Sequence, residues 1–546
     1  MLAALVICWI LLQVLWLAQD ERIVEGDVMG NVGAAELFRV DRWKMSAPEV
    51  LLRSYVEDFG EYPALFPALT GIALAAAGVT DLDGDGPALV GLGWSLMALL
   101  GTWLLGLLLG GPRLATLAAA VLALSPFWSA TQRQLLLENG LCAALVWVLA
   151  LVLLALRYEG RAAVRSAQLC WLLSGMSAGL ALLIKQTAVL VLVPLGLAVL
   201  VLALLPGLAT WRFAAGSRRR AGWDLLGGPT LAVAAALLIA APWYLRQQGA
   251  HDGYLLRSLA ANPDAVGPLH QLLYYPLVLL QLPWAPASLL LLLLGAIGMR
   301  RREAAFDLGP APLPALGGRP GSALLWLVVV LSLVFLVLLP KKYPRLLLPL
   351  LPLLSVLMAI ELQRWSAGRR SLLLLALAVS LVASSFSVGS LSNVLATSRL
   401  GLVEVDERCF QSWIEAPSRP GLPWSELLDA LEDVGGRGGE YRVGALRWPV
   451  PPCSHQTTHD LGQHLRVRVR RAGLDARVLA GEDAFEIAGS WAEGLPAVLI
   501  SDGPAACSDR FDCGGLPTLE LARRLPSEVS GWPLDLHLYR VAGASR

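Results

Sequence analysis

Long apolar runs separated by short polar stretches dominate the first 392 positions of the chain. A bilayer core about 30 Å thick needs ~20 apolar residues in a helix that rises ~1.5 Å per residue. Runs of that kind occupy 2–18, 88–110, 114–130, 136–156, 168–184, 186–205, 223–244, 269–294, 321–340, 346–361 and 371–392, which predicts about eleven transmembrane helices. The stretch 64–79 (ALFPALTGIALAAAGV) is short and interrupted by proline, and it reads as an interfacial or half-buried helix. No Lys or Arg precedes the first run, and its apolar part exceeds the usual core of a secretory signal. An uncleaved first span is expected.

Beyond position 393 no long apolar run remains, and the pattern changes character. SELLDALEDV and HDLGQHLRVRVRRAG carry helical spacing, whereas YRVGALRW, RVLA, AVLISD and LDLHLYRVA read as strands. Alternation of this kind predicts a small α/β domain with a partly parallel sheet. The expected architecture is an all-α polytopic membrane domain over 1–392 and a C-terminal soluble α/β domain over 393–546. The loop 19–87 is long for a connection without a role. No internal repeat is present, and 303–320 is a Pro/Gly-rich linker.

Composition and charge sharpen this picture. Charged residues make up 16% of the chain, hydrophobic ones 56%, and the mean hydropathy is +0.61, too apolar for a soluble globular protein, in which roughly 25% of residues are charged. A net charge of +1 argues against nucleic acid as a partner recruited by bulk charge. The balance hides an asymmetry. Alternate loops (111–113, 157–167, 206–222, 295–320, 362–370) hold fifteen arginines against Glu159, Glu303 and Asp307, while 19–87 holds five basic residues and thirteen acids. Positive charge marks the cytoplasmic side, so the acidic loop and the tail are expected outside. Of seven cysteines, Cys409, Cys453, Cys507 and Cys513 fall in the tail, an even number that suits an oxidising compartment. Cys507 and Cys513 are the pair with the shortest intervening loop.

Ionisable groups at membrane depth or at span ends are costly and become functional candidates. Four clusters qualify, all on the expected outer side. Glu25 and Asp27 follow the first span, where a partly desolvated carboxylate suits a general base; the alternative is a solvated acidic loop. Arg133 and Glu138 lie in SPFWSATQRQLLLENG between two spans, and Glu138 equally suits the first turn of a helix. Lys185 stands alone between two apolar runs. Lys341, Lys342, Tyr343 and Arg345 close a span in KKYPR. Four cations on the disfavoured face call for an anion such as a phosphate near the headgroups; the alternative is snorkelling side chains. Two metal-like patterns are weaker. Asp81–Gly86 begins like a calcium loop, but Leu92 stands where the bidentate acid belongs. Cys453, His455, His459 and His464 are spaced so that His464 leaves the common helix face. No metal and no cofactor are expected.

With those motifs in place, the chain resembles the polytopic, lipid-phosphate-dependent glycosyltransferases of family 39, which have the GT-C fold and include protein O-mannosyltransferases and bacterial lipid A aminoarabinose transferases. The likeness rests on Asp27 after the first span, Tyr62-Pro63-Ala64-Leu65, SPFWSATQRQLLLENG, GLALLIKQTAVL, Ala241-Pro242-Trp243-Tyr244 and KKYPRLLLPLLPLL. It implies Asp27 as catalytic base, Glu138 as second acidic residue, and Lys185, Lys341, Lys342 and Arg345 on the donor phosphate, with Glu25, Arg133 and Tyr343 in support. It also implies an undecaprenyl-phosphate sugar as donor, a lipid, glycan or protein acceptor, and a bacterial inner membrane with an extracytoplasmic tail. Two readings from other classes stand beside it. A transporter or lipid-sugar flippase would show broken segments in symmetric halves, and a scaffold would leave the Lys341–Arg345 cluster without a task.

Overall fold

The computed structural model describes residues 2–18, 34–35, 38, 63–79, 86–133, 135–160, 163–204, 222–246, 268–281, 319–339, 344–363, 365, 367–386, 424–435, 441–447, 476–479, 497–501, 519–529 and 532–541. Asp27, Glu25, Lys341, Lys342, Tyr343, the four tail cysteines, the aspartates of the calcium-like loop and the helix expected over 459–473 lie outside these residues. The chain divides into two compact units, Met1–Leu15 with Leu37–Ala416, and Trp16–Glu36 with Pro417–Arg546.

The first unit is helical among its described residues. Six helices, the last joined to a preceding 3-10 turn, are long and apolar enough to cross a membrane. The protein is therefore a multi-pass membrane protein. In chain order the helices are α1 (Leu2–Leu17), α2 (Leu65–Ala76), α3 (Gly86–Ala123), α4 (Pro126–Gln132), α5 (Leu137–Gly160), α6 (Val164–Ile184), α7 (Val189–Leu204), α8 (Gly222–Arg246), α9 (Pro268–Gln281), α10 (Arg319–Leu338), α11 (Leu351–Gln363) and α12 (Ala367–Phe386). Short 3-10 turns at Gln186–Ala188 and Pro344–Leu350 precede α7 and α11. The short run at 64–79 forms α2, with Phe66 and Leu74 fully buried.

Helix α3 contains a break. Gly110 and Gly111 leave helical geometry, Gly111 at φ 78°, and Pro112 restarts the second arm. A side chain at Gly111 would be strained there, and proline tolerates the first turn of the new arm. The arms fold back closely, since a methyl group at Gly106 would lie 2.6 Å from Ala115 Cα. The second arm then ends at Ala123, short of the boundary expected at 130. Ser125 explains the difference: its hydroxyl accepts from the Trp128 N–H at 3.3 Å and Pro126 opens the next helix, so a new N-terminus starts inside the apolar run.

Helices α5, α6 and α8 pack side by side, and α3 contacts α5 and α11. The α6–α8 contact is built on small residues. Gly175 leaves no room for a methyl group against the Ala232 carbonyl, and one at Gly179 would lie 2.9 Å from Ala236 O. Glycines four apart let two helix backbones meet where lipid offers no hydrophobic drive to associate.

In the second unit the described residues form helix α13 (Trp424–Gly435) and strands β1 (Tyr441–Arg447), β2 (Ala476–Leu479), β3 (Ala497–Ser501), β4 (Leu519–Val529) and β5 (Trp532–Val541). The sheet order is β2-β1-β3-β5-β4. Strand β1 runs parallel to β2 and β3, while β5 is antiparallel to β3 and β4. Helix α13 packs on β3, β4 and β5 with Leu427, Ala430 and Leu431 buried. Strand β4 has no counterpart among the strands expected from sequence, because LELARRLPSEV mixes charges and a proline into its run.

Candidate functional site

Glu138, Lys185 and Arg345 come from three separate elements and meet at one end of the helical unit. Glu138 sits in the first turn of α5, where the positive end of the helix favours a carboxylate. Lys185 is the residue that ends α6. Its backbone is extended (φ −155°, ψ 133°) and its N–H returns to the Ala181 carbonyl, so the chain turns there into the 3-10 segment. Tyr244, near the end of α8, donates its hydroxyl to the Leu182 carbonyl at 2.8 Å and fixes that last turn of α6. Arg345 is carried by the 3-10 turn before α11.

Lys185 Nζ lies 2.6 Å from Glu138 Oε1, and Arg345 Nε lies 3.5 Å from the same oxygen. The three side chains are 7%, 11% and 3% exposed for Lys185, Arg345 and Glu138, so the network is shielded from water and its Coulomb interactions are weakly screened. Two cations share one carboxylate oxygen.

A narrow recess opens on this network. Glu138 and Arg345 line it with Thr187, Ser332 and an apolar wall that includes Leu190 and Leu336. Sequence reasoning passed over Thr187 and Ser332. The available signal was thin: Ser332 is a lone hydroxyl within the apolar run VVVLSLVFLVLL.

A second polar layer lies around α4. Arg133 Nε donates to Gln13 Oε1 at 2.7 Å, and Trp9 Nε1 donates to Ser129 Oγ at 3.2 Å. The Trp9 and Trp128 ring centroids lie 5.1 Å apart with their planes tilted by 30°, and Ser95 Oγ donates to Gln132 Oε1. Ser95, Gln132, Ser129 and Gln13 are fully buried, and Arg133 nearly so. The structure thus gives Arg133 a neutral partner, Gln13, on α1. Gln13 was readable as the one amide in LAALVICWILLQVLWLA. Among the described residues no three His, Cys, Asp or Glu side chains converge as metal ligands.

No sequence-family model matches the chain, and no curated protein matches it by sequence. Solved structures do match. ArnT from Cupriavidus metallidurans in the apo state aligns at a TM-score of 0.60 with 14% identity, over 100% of this chain and 98% of that one. The same protein bound to undecaprenyl phosphate gives 0.58 with the same identity and coverage. The archaeal oligosaccharyltransferase AglB from Archaeoglobus fulgidus, in complex with an inhibitory peptide and a dolichol-phosphate, gives 0.50 with 13% identity, over 92% of this chain and 69% of that one. At these identities the likeness is one of architecture, and the chain has the fold of the polytopic GT-C glycosyltransferases.

Proposed function

We propose that the protein is an inverting membrane glycosyltransferase that moves a sugar from an undecaprenyl-phosphate-linked donor to an acceptor hydroxyl. The reaction takes place on the outer face of a bacterial inner membrane. The observation that carries this reading is the buried Lys185–Glu138–Arg345 network at a recess in a GT-C fold. ArnT in complex with undecaprenyl phosphate supports the class of donor.

In this reading residues 1–392 form the membrane domain with eleven spans, and 393–546 form an extracytoplasmic α/β domain that shapes access of a lipid, glycan or protein acceptor. Asp27 takes the proton from the acceptor hydroxyl. The hydroxyl oxygen bonds to the anomeric carbon as the bond from that carbon to the phosphate oxygen breaks. Polyprenyl phosphate leaves with the electron pair. Lys185 and Arg345, with Lys341 and Lys342, offset the charge that grows on the leaving phosphate, and they do so most strongly where water is excluded. Glu138 holds two of these cations in position, and Glu25, Arg133 and Tyr343 support the site. Positioned cations suffice for such a leaving group, so the mechanism calls on no metal or cofactor.

The test is release of polyprenyl phosphate by the purified protein from a panel of undecaprenyl-phosphate sugars, with membrane extract as acceptor source. The parent releases it, and Asp27→Asn lowers the rate by at least ~100-fold, the scale of a lost general base. Release undiminished in Asp27→Asn would move the base to another carboxylate. No release from any donor would favour the transporter reading.

A further inference from the structure

Ser332 sits on α10 and Thr187 on the turn after Lys185, and both line the recess that Glu138 and Arg345 share. Ser332 is fully buried. Neither Ser332 Oγ nor Thr187 Oγ1 has a hydrogen-bond partner among the described residues. A buried hydroxyl without a partner is unfavourable, and a helical serine or threonine has a ready remedy in the carbonyl four residues back. Other hydroxyls in this molecule use it. Ser95 donates to Gly91 O at 2.8 Å, Thr102 to Ala98 O at 2.8 Å and Thr131 to Phe127 O at 3.0 Å. Ser332 does not. Thr70 and Ser355 also lack a partner among the described residues, but neither lines the recess.

The recess therefore offers two hydroxyls beside an ion pair, inside an apolar wall, with room for about one water-sized group. Its complement is a small uncharged hydrogen-bonding group on an otherwise apolar stem. A polyprenyl tail has no such group, whereas a sugar ring carries hydroxyls on a carbon frame. Arg345 lines the recess, so a donor whose phosphate it held would have its sugar within reach of the two hydroxyls.

We infer that Ser332 and Thr187 form a hydrogen-bonding subsite for one hydroxyl of the transferred sugar and set donor specificity there. This rests on the glycosyltransferase reading above. A site built to bond a substrate hydroxyl rejects the analogue that lacks it, because the site's own polar atoms are then left unpaired.

The experiment compares kcat/KM for an undecaprenyl-phosphate sugar accepted by the protein with that for its monodeoxy series, in which each ring hydroxyl is replaced by hydrogen in turn. The parent should disfavour one deoxy donor by roughly tenfold or more, and Ser332→Ala and Thr187→Val should each erase most of that difference for this donor alone. Without donor, Ser332→Ala should unfold at the parent's temperature or above, since it removes an unsatisfied group. Three outcomes would overturn the inference: discrimination unchanged within about twofold in both variants, discrimination lost equally for every deoxy donor, or marked destabilisation of Ser332→Ala. If the parent releases polyprenyl phosphate from no donor, the glycosyltransferase reading fails as well, which separates the two failures.

Discussion

At Glu138 a single carboxylate oxygen receives both Lys185 and Arg345, and this decides what substitutions there will do. Glu138→Gln keeps the shape and removes the charge that both buried cations face. Breaking a buried pair from one side costs about 3–5 kcal/mol. The expected outcome is a clear fall in the thermal midpoint of the purified protein together with loss of transfer. Adding Lys185→Met should restore part of the stability, because a buried cation goes with its partner, and on the proposed function should restore no transfer, because a donor phosphate would lose a cation. A Glu138→Gln protein as stable as its parent would show that the network contributes nothing to the fold. Glu138, Lys185 and Arg345 could be picked out from sequence because charged residues in or beside apolar runs are rare and have a cost. Ser332, Thr187 and Gln13 could not be ranked the same way. A hydroxyl or amide in a helix is usually satisfied by its own backbone, and only its place in the fold shows otherwise.

Among the elements, the apolar runs announce helices well and their ends less well. The runs expected at 88–110 and 114–130 occur as the two arms of α3, which part at Gly110 and Gly111. The end of the second arm was missed because hydropathy continues through Pro126–Trp128, while a serine cap and an N-terminal proline interrupt the helix. Helix contacts were not readable at all from hydropathy, since lipid-facing and buried leucines look alike. The contact of α6 with α8 shows what decides them instead. Gly175 meets the Ala232 carbonyl so closely that a methyl group must displace the backbone, whereas a methyl at Gly196 on α7 has nothing within 4 Å. Gly175→Ala should therefore destabilise the protein by about 1–3 kcal/mol, as overpacking does. Gly196→Ala should be neutral or slightly stabilising, because alanine has less freedom to lose on folding. Thermal unfolding of both variants in the same detergent checks this. Equal midpoints would mean that α6 and α8 do not meet on Gly175.

For the whole molecule, the placement of chemistry relative to the bilayer rests on charge rather than on packing. Arg212 and Arg218–Arg220 lie in one class of loop, while Asp27 and the residues that flank Lys185 and Arg345 fall on the opposite side of the membrane if consecutive runs cross it in turn. A donor whose phosphate is held by Lys185 and Arg345 requires all of these residues on one face, together with the tail. Single cysteines test the arrangement directly. Ser217→Cys lies in an arginine-rich loop and Ser418→Cys in the tail. A membrane-impermeant maleimide applied to intact spheroplasts should label Ser418→Cys above the parent's background and should reach Ser217→Cys only after the membrane is opened. The reverse pattern would put Asp27 and the tail in the cytoplasm and remove the outer-face reaction. Labelling of both from outside would mean that an even number of crossings separates the two positions, so at least one of the five apolar runs between 223 and 392 does not cross.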